Sequence, residues 1–368
     1  MHASSLRRGT AALGCIAVGG LLLGFPAAAA QGAARGISLC LNTAVPSLFP
    51  FMVLAAYISA SGVGEQLGKP LCRPVQWLGL PAACAPAVLL ALLGGYPVGA
   101  AGVSRLLHTG QINQPQARRA MALCCLPSPA FMISALGNGL LASPRAGAAL
   151  WACTLLGAVL PLLLHPIKPR SAAETPEAPP PSGSFFSAVE TAARSVLSLS
   201  ALIVVFCTLQ ELLAATPLPG WLAAKLGAFL PAGAAKSLLP ALLEVTTGLS
   251  ACGENGAPLW LFAFAAGWGG LCVQGQVFSF FKPGELPKAA FFRARLMHGL
   301  VSAGLAAGFF RVFPEWQPAV SVFATHTVTQ TEAFSSTAPA GLALLALCAV
   351  FCLTAKFPIN NGQSTTEN

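Results

Sequence analysis

The sequence predicts an all-α polytopic membrane protein made of two inverted repeats, each carrying a re-entrant hairpin and broken helices. Three observations lead there. Hydrophobic residues make up 55% of the 368 residues and charged residues 8%, with a mean hydropathy of +0.71, a composition typical of chains whose solvent is lipid. Apolar runs of spanning length recur along the chain, divided by short basic stretches. Two of these runs are interrupted at their centres, at Gly94-Gly95-Tyr96-Pro97-Val98-Gly99 and at Glu244-Val245-Thr246-Thr247-Gly248. Glycine is entropically costly in a helix and proline lacks a backbone donor. The freed backbone groups must find protein, water or a ligand, so broken backbone at membrane depth marks a solute path.

Composition also excludes. The formal charge of +9 is scattered between apolar runs and forms no patch, so it speaks for basic inner loops and not for nucleic acid. The sequence holds no Asp, and all eleven acidic residues are Glu; aspartyl nucleophiles, aspartate dyads and Asp-based metal sites are absent with it. Twelve cysteines include no CxxC pair and fall almost entirely inside apolar runs, where cysteine behaves as a small hydrophobe. The five histidines do not cluster, and His298 reads as a core histidine. Neither a GxxxxGK[ST] loop nor a GxSxG elbow occurs. No cofactor, no metal and no enzymatic activity are expected.

In chain order, residues 1–36 form an N-terminal transmembrane helix or signal-like segment, with Arg7-Arg8 before an apolar run from 11 to 30. A first repeat covers 37–165. It opens with a bent span at 37–63, closed by Lys69 and Arg73, and continues into the broken run at 83–107. Each arm beside that break has roughly ten residues, about 15 Å of helix, enough to reach only the midplane of a core about 30 Å thick. A span at 117–141 follows, interrupted at Leu126-Pro127-Ser128-Pro129, and then a plain span at 146–164. Residues 166–184 are a Pro-rich inner linker. The second repeat, 185–313, repeats the order: a span at 185–215, a short amphipathic stretch at 221–231, the broken run at 237–252, a Gly-interrupted span at 258–281 and a plain span at 289–313. An outer loop, a short helix at 341–356 and a tail fill 314–368.

The two interruptions align as ALLGGYPVG at 91–99 over ALLEVTTG at 241–248. With the N-terminus inside, fifteen of the twenty basic residues, Arg293 and Arg295 among them, fall on the inner side and five (Arg35, Arg145, Lys225, Lys236 and Arg311) on the outer. The halves then run in opposite senses, which is the plan of secondary transporters.

A solute site is expected where the breaks meet. Its backbone would come from Gly94, Gly95, Pro97, Gly99 and Gly248, and its polar groups from Asn138, Thr246, Thr247, Gln274 and Gln276. Tyr96 and Trp268 offer rings, and Ser128, between Pro127 and Pro129, is either a ligand group or a kink stabiliser. Glu244 is the one carboxylate well inside the expected bilayer. It either carries a coupling proton or cation or caps backbone amides at the hairpin tip. Half-helix N-termini would favour an anionic solute group.

At these residues the chain resembles the sporulation integral membrane proteins of the YlbJ type, which carry the nucleoside-recognition or Gate domain. The stretches that carry the likeness are NTAVPSLFPF at 42–51, GGYPVGA at 94–100, RRAMALCCLPSPAFM at 118–132, LLEVTTG at 242–248, GGLCVQGQV at 269–277 and RARLMHGL at 293–300. The resemblance implies a fold related to the concentrative nucleoside transporters and a role in spore formation. It also implies dipicolinate, a planar dianion, as candidate solute and the outer membrane of the forespore as candidate location. The partners expected are the solute and the lipid bilayer, with a homo-oligomer left open. The rival reading is a non-transporting sporulation membrane protein that assembles or recruits partners through its loops.

Overall fold

The computed structural model describes residues 2–165 and 183–318, and all their regular elements are helical. The chain runs through α1 (His2–Gly24), α2 (Pro26–Leu39), a π-helical turn (Cys40–Ala44), α3 (Val45–Ala60), α4 (Val63–Gly68), α5 (Cys72–Trp77), α6 (Ala85–Gly94), α7 (Tyr96–His108) and α8 (Gln114–Cys124). A π-helix (Ala130–Leu140) leads into α9 (Pro144–Leu164). After the linker come α10 (Phe185–Ala214), α11 (Leu218–Leu226), α12 (Ala232–Leu243), α13 (Val245–Glu254), α14 (Leu259–Trp268), α15 (Gly270–Ser279) and α16 (Lys288–Val312). The linker from 166 to 182, the outer loop from 319 and the expected helix at 341–356 lie outside the described residues.

Among the described residues, three helical stretches are long and apolar enough to cross a membrane: Pro144–Leu164, Phe185–Ala214 and Leu259–Ser279. Two bent pairs bring the number to five if each is one span. Both bends revise the expected layout. The first apolar run is no single helix, since Ala12–Gly24 turns by 98° into Pro26–Asn42. Pro26 has no amide to continue the ladder of α1 but suits the first position of a new helix. The boundary expected between 36 and 37 therefore falls inside a helical run that continues through the π-helical turn into α3. The second bend, 99° between Leu48–Ala60 and Val63–Trp77, comes at Gly62, whose φ of 75° a side chain would resist.

Helix starts follow local chemistry. Asn113 and Gln116 form a reciprocal capping box for α8, Ser143 caps α9 with Pro144 behind it, and Ser184 caps α10. Small residues set a close crossing between α2 and α10. A Cβ on Gly32 or Gly36 would lie 2.6 Å from Thr208 Cα or 2.7 Å from Val204 Cα, so α2 meets α10 backbone to backbone. The main core gathers α6 to α9 with α12 to α16, while α2, α3 and α10 pack in smaller clusters beside it.

The polar contacts fall at two ends of α10. Arg35 pairs with Glu211 at 2.9 Å near its last turn. Near its first turns, Ser187 shares a cavity lining with Arg105, whose Nη1 donates to Ser59. Ser187 and Glu211 are about 36 Å apart along the helix, slightly more than a bilayer core.

Candidate functional site

Two helical hairpins supply the frame. In the first, α6 stops at Gly94, Gly95 takes φ 78° and ψ −160°, and α7 starts at Tyr96 with Pro97 in its first turn. In the second, α12 stops at Leu243, Glu244 is extended (φ −147°, ψ 131°), and α13 starts at Val245. In each pair the arms pack along one another. The aligned motifs explain how. Gly99 sits on Ala91 of the opposite arm, where a Cβ would come within 2.6 Å of the alanine Cβ, and Gly248 sits against Ala241 Cα. The alanine that opens each ALL motif and the glycine that ends it are the crossing point. Gly94, beside the first break, faces Val98.

Two more breaks join them. Between α8 and the π-helix, residues 125–128 are irregular and Pro129 is already helical. Here the Pro127 carbonyl accepts from Trp151 Nε1 at 3.3 Å, and Ser128 Oγ accepts from the Phe131 amide at 3.2 Å. Ser128 thus caps the turn that leads into the π-helix. Between α14 and α15, Gly269 and Gly270 have φ of 82° and 73°.

The four breaks converge. A Cβ on Gly95 would lie 3.1 Å from the Ser128 nitrogen, and one on Gly270 would lie 2.9 Å from Glu244 Cα. Trp268 Nε1 donates to the Leu242 carbonyl at 3.0 Å, which ties the α14 break to the second hairpin. The Tyr96 hydroxyl donates to the Ala266 carbonyl, which ties it to the first. All of this is buried, with Tyr96, Pro97, Gly99, Ser128, Glu244, Thr247, Gly248 and Trp268 among the inaccessible residues.

Glu244 caps its own hairpin. Oε1 accepts from the Thr246 amide at 3.0 Å, and Oε2 accepts from the Thr247 amide at 2.7 Å and the Thr247 hydroxyl at 3.0 Å. A carboxylate on the first amides of a helix meets both their unpaired donors and the positive end of the dipole. The N-terminus of α13 is therefore occupied by the protein's own anion. At α7 no side chain caps the amides.

Gln274 and Gln276, both 1% exposed, are placed on α15 just past the Gly269 break. Gln274 Nε2 donates to the Trp268 carbonyl at 3.1 Å, but its Oε1 has no partner among the described residues. For Gln276, neither the amide nitrogen nor the oxygen has one. Asn138 is not part of the cluster: it is exposed on the π-helix, near the turn into α9. The wide π winding carries it there, which an α-helical spacing does not foresee.

One expected position is corrected outright. Arg295, assigned to the inner loops, is 2% exposed inside the core. From α16 its Nη1 donates to the Cys125 carbonyl at 2.6 Å, its Nε to the Trp268 carbonyl at 3.4 Å and its Nη2 to the Gly267 carbonyl. It thereby bridges the 125–128 break and the Gly269 break. The stripe His298, Ser302 and Ala306, buried on the same helix, is the signal that places Arg295 on the inner face of α16. His298 itself holds α16 to α9 through the Thr154 carbonyl, 2.8 Å from Nε2.

Beside the first hairpin lies a cavity of about 260 Å³ between α3, α7 and α10. Pro97 and Val98 line it next to the break, and Arg105, Ser187, Thr191 and Ser195 line it toward the end of α7.

These features define an integral, multi-pass, all-α membrane protein with interrupted helices gathered at its centre. The chain is similar to the sporulation integral membrane protein YlbJ of Bacillus subtilis (strain 168), 23% identical over 318 residues that span 77% of this chain and 78% of that protein. The YlbJ-type resemblance thus holds along most of both chains. No family model and no solved structure matches this chain.

Proposed function

We propose that this protein is a secondary-transporter-like membrane protein that passes a small polar, anionic solute during spore formation, with dipicolinate as the candidate. In this reading 37–165 and 185–313 are Gate-like inverted repeats whose hairpins meet near the midplane, as in the concentrative nucleoside transporters. The observation that carries it is the pair Gln274 and Gln276, buried on α15 past the Gly269 break with amide atoms that have no partner among the described residues. An unpaired buried polar atom costs about 1–3 kcal/mol, so its persistence points to water or a ligand. The cavity behind Pro97 and Val98 supports a path to that point. The role in spore formation rests on the similarity to YlbJ. Glu244 acts in this scheme first as a positioning residue. Its three donors leave one acceptor site on Oε1, where a coupling proton or cation would bind.

The test is uptake of labelled dipicolinate by proteoliposomes, with nucleosides as a parallel panel, for the native protein and for Gln276→Met and Glu244→Gln. Native protein is expected to give saturable dipicolinate uptake that both variants lose. Gln276→Met is the sharper of the two, because removing unpaired polar atoms should leave thermal stability equal or raise it by about 1–3 kcal/mol. Absence of flux of every panel solute through well-folded native protein overturns the proposal in favour of an assembly role.

A further inference from the structure

The geometry points to Arg295 as the residue that receives the solute's negative charge, through a carboxylate held by the guanidinium fork. This deepens the anionic-solute reading proposed above and rests on it. A buried guanidinium needs a counter-charge or a full set of acceptors. Arg295 has neither among the described residues. None of the ion pairs there includes it. Glu244, the buried carboxylate of the same cluster, is engaged by Thr246 and Thr247 of its own helix.

Arg295 donates to three carbonyls, at Cys125, Gly267 and Trp268, through one N–H on each of its three nitrogens. Guanidinium carries five N–H groups. One N–H is thus left on each terminal nitrogen, the number a bidentate carboxylate accepts. Helix C-terminal carbonyls compensate a cation only in part, since the macrodipole amounts to about half a charge.

The surroundings fit a flat oxyanion. The Tyr96 ring lies 6.0 Å from the guanidinium carbon. A Cβ on Gly269 would lie 3.5 Å from Tyr96 Cε1 and 3.6 Å from Arg295 Nη2, so the Gly269 break is the backbone next to both ring and cation. Gln274 shares the Trp268 carbonyl with Arg295 and keeps its own oxygen unpaired. Pro97 and Val98, one and two residues past Tyr96, line the cavity beside the first hairpin.

The experiment compares binding of pyridine-2,6-dicarboxylate with that of its uncharged diamide, by titration calorimetry on the purified full chain in detergent. Native protein should prefer the dicarboxylate. In Arg295→Gln that preference should fall roughly 10- to 100-fold, the loss of a charge-assisted pair, while diamide affinity stays within about threefold. Arg295→Lys, which keeps the charge without the fork, should retain part of the preference. A purely structural arginine would weaken both ligands together. A folded Arg295→Gln protein with undiminished preference overturns the inference and leaves the transporter reading standing. If both variants fail to fold, Arg295 is a staple of the breaks and the inference also falls. Native protein that binds the diamide as well as the dicarboxylate, or binds neither, removes the anionic solute itself and this inference with it.

Discussion

The two hairpins solve one problem in opposite ways. Each must stop a helix inside a buried core and start another, leaving amides of the new helix without partners. At Gly95 the answer lies in the backbone. A left-handed φ is open to glycine, Pro97 removes one of the orphan donors, and no side chain caps what remains. At Glu244 the backbone is ordinary extended chain and the answer is a side chain, a carboxylate that takes two amides and a hydroxyl. The first break carries no charged side chain and borders a cavity; the second carries its own carboxylate. Under the proposed function, an anionic solute would meet repulsion at Glu244 and no such charge at Gly95. The compensating cation, Arg295, stands on the Tyr96 side, between Tyr96 and the Gly269 break.

The strongest way to break this comparison is at the crossings, where the two hairpins are alike. Gly99→Leu and Gly248→Leu each drive a side chain into a facing backbone, Cys124 carbonyl in one case and Ala241 Cα in the other. Each should cost at least about 3 kcal/mol, read as a large fall in detergent melting temperature or loss of folded protein. A large effect at one glycine only would mean that the aligned motifs do not mark equivalent crossings.

Smaller effects are expected at the breaks, where the hairpins differ. Gly95→Ala should destabilise by about 1–3 kcal/mol from its positive φ, with the 3.1 Å approach to Ser128 adding to it. Glu244→Ala should cost a similar amount, about 1–3 kcal/mol, for the lost cap. The two separate on rescue: Glu244→Gln keeps an acceptor and should recover part of the stability in thermal melts. Gly95→Asn should bring no such rescue, because φ 78° with ψ −160° is a conformation essentially reserved for glycine. Full tolerance of Glu244→Ala would show that its three hydrogen bonds contribute nothing net.

The smallest effect lies outside the hairpins' tips, where α7 is tied to the loop before α16. His108 Nε2 meets Glu285 Oε2 at 2.9 Å, and the Lys282 amide donates to the same oxygen at 2.7 Å. The hydrogen bond from His108 first, then that amide and the nearby positive charges, hold the Glu285 carboxyl below its usual range. A carboxylate depressed in the folded state contributes stability above its unfolded value, about 4.3, and loses that contribution as pH falls through the folded value. Melting temperature of the native chain should therefore drop more steeply below about pH 4.3 than that of Glu285→Gln. Parallel acid limbs would remove the pair as a tether of the first hairpin.

Much of this was legible in residue order. The break at Gly95 shows as three glycines and a proline in an apolar run, and the break at 244 as the lone deep carboxylate. Even the crossing is written in the chain, as the alanine and glycine that bracket each motif, although a sequence does not say that they touch. Other features were not legible. Lys288, Arg293 and Arg295 look alike in sequence, as a basic flank before a span, yet only helix phase and the depth of α16 place Arg295 in the core. Asn138 looked buried until the π winding carried it to the surface. The first run looked like one helix because the cost of Pro26 depends on whether a bend has somewhere to pack.

By itself, then, the sequence determined the solvent, the helical class and the places where helices must stop, because these depend on hydropathy and on the backbone chemistry of glycine, proline and charge. The tertiary structure decided which stops meet, that Glu244 caps its own helix, that Gln276 has no side-chain partner among the described residues and that Arg295 bridges two breaks. Those are pairings between residues far apart in the chain, such as Arg295 with Cys125 and Tyr96 with Ala266. Whether a buried polar group is satisfied depends on what packs against it, and local sequence carries no record of that.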